Sequence, residues 1–246
     1  MANTPPRQQD AFSGSGHFSA RCPHSASVVL VRHHHVASEQ LLRRHGTGFI
    51  VWSSAEDYLV LTANHVITLE EHEMNDEVEI VVKMPGSGDY LPATLLRSDT
   101  SRDIALLRVT NNDDKSKIAR RPLTFDDRLP PPVGTVVVLL GYFAPDGDVQ
   151  MPLKVLPRMR LLWILIKGLM RRSRQTVLQL KVVQGHRPLI AEHKVVGLLT
   201  SAVHSVDVYR TVPTLKAVFQ LWLLVEETDQ RTVNDLIPLL AALEAQ

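Results

Sequence analysis

The chain has 246 residues, 44% hydrophobic and 22% charged, with a net charge of +1. That length supports a sizeable core, and the near-neutral balance exerts no global pull toward nucleic acid or an anionic membrane. A single cysteine, Cys22, excludes an internal disulfide framework and fits a reducing compartment.

The N-terminal residues 1–26 are rich in Ser, Pro, Gly and Gln and lack the apolar core of a signal peptide, so they read as a disordered leader. They hold one acid, Asp10, which leaves organelle targeting open. No run reaches the roughly 18 apolar residues of a membrane helix; the strongest candidate, "LLWILI", is short and flanked by Arg160 and Lys167. The expectation is an intracellular protein.

From Ser27 onward, short runs rich in Val, Leu and Ile alternate with polar or Gly/Pro breaks. Strands are expected at "SVVLVRHH", "GTGFIVWS", "YLVLTANHV", "EVEIVVKM", "YLPATLLRS", "DIALLRVT", "GTVVVLLGY", "TVLQLKVV" and "HKVVGLLTSAV". This spacing suits a barrel or sandwich rather than βαβ units. "DRLPPPVG" (127–134) cannot continue a ladder, because three consecutive prolines remove its donors, and it reads as a linker. In the tail, "TVPTLKAVFQLWLLVEE" has Thr211 as N-cap and Pro213 in the first turn, the pattern of a helix start. "TVNDLIPLLAALEAQ" reads as a second, shorter helix interrupted by Pro238. In "VRHHHV", His33 and His35 share one face of a strand and His34 takes the other. Two such ligands do not make a metal site, so no metal is expected, and no cofactor.

His65, in "LTANHV", would by itself be an ordinary strand-end histidine, and Asp103, in "SRDIALLRV", an ordinary turn acid. The ordered set "GTGF…LTANHV…RDIALLRV" is more specific than its parts. It resembles the trypsin-like serine proteases, in particular the signal-less intracellular branch related to the high-temperature-requirement proteases. The resemblance covers residues 27–150 and, more loosely, 188–222. It implies an all-β double barrel with the site between the barrels, peptide or protein as substrate or ligand, His65 as general base and Asp103 as the acid that orients it. The resulting organisation is a leader over 1–26, barrels over about 27–126 and 134–210, and a C-terminal helical segment over 211–246. Neither a nucleic-acid nor a membrane partner is expected.

The same resemblance calls for a serine in a glycine-rich "GxSG" turn that aims backbone N–H groups at an oxyanion. The residues before "PLIAEHKVVGLL" read "QGHR" (184–187) instead, and counting back from Pro188 on the pattern "GxSGxP" puts Gly185 at the nucleophile position. Ser173, Thr200 and Ser201 lack the flanking turn. No acid occurs between Asp148 and Glu192, an interval holding nine Lys and Arg residues. That interval reads as a basic patch for nucleic acid, as a solvated loop, or as a stretch out of frame. If Gln-Gly-His-Arg is written with the codons CAG GGA CAT CGG, a shift of two bases spells Gly-Thr-Ser and opens a glycine codon. The expectation is that residues 150–187 are out of frame with a protease ancestor. The second barrel is then incomplete, and the chain, a serine endopeptidase homologue, is inactive as written. The alternative is a non-catalytic peptide-binding module.

Overall fold

A computed structural model of the chain describes residues 24–35, 45–68, 78–85, 90–110, 120–127, 136–142, 153–160, 176–178, 187–191, 193–203 and 206–244. Six antiparallel strands form the first half: β1 (Val28–His35), β2 (His45–Ser53), β3 (Asp57–Thr62), β4 (Val78–Lys83), β5 (Tyr90–Asp99) and β6 (Ile104–Thr110). They close into a barrel in the order β1-β2-β3-β6-β5-β4, with β4 returning to pair β1. Closure removes the unpaired strand edges that an open sheet would expose.

The strands alternate between two apolar environments, as period-2 side-chain geometry requires. Val29, Val31, Ile50, Val60, Ala105 and Leu107 belong to one buried cluster. Phe49, Val51, Leu59, Leu61, Ile104 and Leu106 belong to another, shared with the second half and the C-terminal helices. β6 is therefore buried on both faces, which is why "IALL" runs apolar without alternation.

The second half is a six-stranded sheet in the order β8-β7-β10-β11-β12-β9. Its members are β7 (Val136–Tyr142), β8 (Leu153–Arg160), β9 (Thr176–Leu178), β10 (Arg187–Ala191), β11 (Lys194–Val203) and β12 (Val206–Thr211). β8 and β9 stand at its two ends, and both fall in the stretch without acids. Three of these strands, β8, β10 and β12, are absent from the sequence expectation. β8 and β10 carry Pro157 and Pro188, which weaken a strand reading. β8 accommodates its proline as an edge strand. β12 lies directly against the helix start, where the two patterns overlap.

Two helices follow, α2 (Val212–Trp222) and α3 (Val233–Ala241). Thr211 is the N-cap of α2 by backbone conformation, with Pro213 in its first turn. α3 begins with a capping box between Thr232 and Asp235, whose carboxylate accepts from the Thr232 N–H at 2.9 Å. Contrary to the expected interruption, α3 runs through Pro238. The proline forfeits one backbone bond, but Val233, Leu236, Ile237 and Leu240 remain buried on one face. The Arg108 guanidinium donates to the carbonyls of Ala241 and Leu243 at 2.6 and 2.9 Å and so holds the helix end.

The segment 120–127 joins these parts. Leu123 N–H donates to Ile50 O of the barrel at 2.8 Å, and Asp126 N–H to Val195 O of the second sheet at 2.9 Å. Asn234 of α3 both accepts from Phe125 N–H at 2.9 Å and donates to Phe125 O at 3.0 Å. Of the expected linker 127–134, only Asp127 lies within the described residues. Among the described residues no helix is long and apolar enough to cross a membrane.

Candidate active site

The expected strand "YLVLTANHV" ends early, at Thr62. Ala63 is extended, and residues Asn64–Ile67 form one helical turn, α1. Local hydrogen bonding makes the turn. Thr68 N–H and Thr68 Oγ1 both donate to Asn64 O, at 3.0 and 2.8 Å. The Asn64 amide donates to Thr68 Oγ1 at 3.0 Å. Asn64 is thus the side chain that stitches the turn.

"GTGF" sets where this turn can sit. A Cβ on Gly46 would stand 2.4 Å from Val66 Cγ2, and one on Gly48 2.7 Å from Val60 Cγ1 and 3.2 Å from Leu61 O. Side chains at these positions would push α1 and β3 off β2. Between them, Thr47 is fully buried. Its carbonyl accepts from Thr62 Oγ1 at 3.1 Å, and its hydroxyl accepts from Tyr142 N–H of β7 at 2.9 Å. Burial pushes the nearby Tyr142 phenol up to about 12, with a further rise from Tyr90.

Asp103 precedes β6 in the left-handed region, at φ 59°, a conformation aspartate tolerates better than most side chains. The turn before it is built on Asp99. Its carboxylate accepts from Ser101 Oγ at 2.7 Å, from Arg102 N–H at 2.8 Å and from the Arg102 guanidinium at 2.6 Å. Burial alone would raise the Asp99 pKa; the bonds from Ser101 and Arg102 outweigh it and hold the group below its ordinary range.

The Asp103 carboxylate grips His65 twice. Oδ1 accepts from the His65 backbone N–H at 2.8 Å, and Oδ2 lies 2.8 Å from Nδ1. One carboxylate therefore fixes both the backbone and the ring of the same residue. With Nδ1 donating its proton to Asp103, the imidazole lone pair lies on Nε2. The His65 side chain is 49% exposed and that of Asp103 25%, so the ring stands at the surface with the acid behind it.

The structure thus brings together His65 and Asp103, 38 residues apart. Of the other sequence candidates, only backbone positions or nothing at all fall within the described residues. Gly185 and Ser173 lie outside the described residues. Thr200 and Ser201 are on β11, where the pairing with β12 shifts register between Leu199 and Ser201. His33, His34 and His35 lie on β1, and their side chains are outside the described set. Among the described residues no group of three or more His, Cys, Asp or Glu could hold a metal ion. Asp99 and Arg210 were not anticipated as site residues. An acid three positions before an arginine, in "DTSR", is the only local signal for the first. Arg210 has none, because its approach is made across the fold.

A closed antiparallel barrel that presents a His–Asp pair at one end is the arrangement to compare with known families. The family model "Trypsin-like peptidase domain" matches residues 46–185, more than half of the chain. The chain belongs to the trypsin-like peptidase domain family. Its fold is similar to that of the Rv3671c protease from M. tuberculosis in its active form, at 24% identity and a TM-score of 0.55, covering 79% of each chain. An inactive mutant form of that protease gives 21% identity and a TM-score of 0.56, covering 84% of this chain and 91% of that one. No curated protein matches the chain. The trypsin-like fold accounts for the closed barrel, the second sheet and the placement of "GTGF" against α1.

Proposed function

We propose that this chain is a serine endopeptidase homologue of the high-temperature-requirement-like branch, inactive as written. Its double-barrel domain spans residues 27–210, with 211–246 as a helical appendage. In this reading His65 is the general base and Asp103 the acid that orients it. The observation that carries the reading is the double contact of Asp103 with His65, through the backbone N–H and through Nδ1, both at 2.8 Å. A carboxylate on Nδ1 selects the tautomer whose Nε2 can take a proton from a hydroxyl, and it stabilises the imidazolium that results.

The missing partner is that hydroxyl. The position expected for the nucleophile is Gly185, which has no side-chain oxygen. A base without an acyl acceptor forms no covalent intermediate. The same reading holds residues 150–187 to be out of frame with the family, and genomic DNA across that stretch without an alternative "GxSG" would refute it. A cleft that retains its base and lacks its nucleophile is left with binding an extended peptide, the non-catalytic form of the same reading.

The test is labelling of the purified chain with a fluorophosphonate probe, with His65→Ala alongside. No labelling of either protein is the expected result. Labelling that depends on His65 would reveal a serine nucleophile and overturn the proposed inactivity, while leaving His65 as the base.

A further inference from the structure

We propose that Arg210 is a positioning residue for Asp103, fixing from the second sheet the peptide that aims the Asp103 carboxylate at His65. The argument starts from backbone strain. A non-glycine residue at φ 59° is strained and persists only where its surroundings over-determine it. The peptide plane between Arg102 and Asp103 is held at both of its polar groups. Its N–H donates to Thr100 O at 3.3 Å, and its carbonyl, that of Arg102, accepts from Arg210 Nε at 3.2 Å.

The first of these bonds is local to the turn, and so is the grip of Asp99 on Arg102. The second crosses 108 residues, from β12 to the mouth of β6. Arg210 is half-buried and stands opposite Leu198 in the register of β11 and β12, so the sheet sets its approach. Its charge faces the carboxylates of Asp103 and Asp99 and the guanidinium of Arg102. A guanidinium suits this place because Nε gives a directed donor close to the stem while the charge stays delocalised beyond it. The first barrel supplies both members of the pair, and the second sheet supplies the bond that fixes their approach.

This inference rests on the proposed pairing of His65 with Asp103, and its test reads geometry rather than turnover. The measurements are the low-field proton resonance of the His65 Nδ1–H bonded to Asp103 and the exchange rate of the Asp103 amide. Arg210→Met keeps the stem and removes the donor. It is expected to abolish the low-field resonance and to speed Asp103 exchange by about tenfold or more. Asn234→Ala, which loosens the distant 120–127 segment, serves as a control for general destabilisation and should keep both signals. A folded Arg210→Met protein that keeps both overturns the proposal, as does Asn234→Ala losing both to the same extent. If Arg210→Met does not fold, Arg210→Lys decides: it retains charge and stem, so wild-type signals overturn the proposal and loss of the resonance supports it. Absence of the resonance in the unmutated chain would instead remove the His65–Asp103 pair, and with it the proposed function.

Discussion

The two halves of this molecule are built from strands of similar composition and end differently. The first closes: six strands pair in a ring, and β6 is gripped by β3 and β5 along its length. The second, among the described residues, is a sheet with β8 and β9 at its two ends. Both ends fall in the stretch that lacks acids. The difference separates the two parts of a trypsin-like site. His65 and Asp103 both come from the closed half. On the proposed reading, the nucleophile turn belongs just before β10, in the second sheet.

The comparison is open to direct attack, first through the core. Leu106 of β6 and Leu198 of β11 are both fully buried in the cluster that spans the halves. The same truncation at each should have unequal cost, because a cavity is penalised less where its surroundings can collapse. Leu106→Ala is expected near the upper end of the usual range, about 5 kcal/mol, and Leu198→Ala near the lower end, about 2 kcal/mol. Urea unfolding of both variants measures this, and equal losses would mean that the open sheet is as rigid as the barrel.

The next probe is the Asp99 turn. Asp99→Asn should lose about 2 kcal/mol at neutral pH, since it weakens charge-assisted bonds to Arg102. The folded pKa of Asp99 is lowered, so its contribution is present above the ordinary carboxylate range and fades as pH falls through the lowered folded value. The difference between wild type and Asp99→Asn should therefore be constant above about pH 5 and shrink in acid. Thermal unfolding across pH reads it, and a difference that grows in acid would contradict the sign.

The smallest expected effect concerns the tie between the halves. Thr47→Val removes the acceptor of the Tyr142 N–H while keeping the branched shape, and should cost about 1 kcal/mol. Amide exchange at Tyr142 should quicken while exchange within β3 and β6 stays unchanged. Quickening on both sides would show that the barrel depends on the second sheet for its own closure.

By itself the sequence determined the local chemistry: the alternating strands of the barrel, the cap of α2, the glycines of "GTGF", and the candidacy of His65 and Asp103 from their order and spacing. Each of these depends on neighbours a few residues away, or on a family pattern preserved in the letters. Closure of the first half, the survival of α3 through Pro238, and the strand role of Pro157 and Pro188 were decided only in three dimensions. Proline is tolerated at a sheet edge, where its missing N–H has no partner to lose, or where burial of the surrounding apolar face outweighs the lost bond. Arg210 shows the limit most clearly. Nothing in "VDVYRT" marks it, because the carbonyl it binds lies 108 residues away and comes within reach only when β12 is laid beside β11.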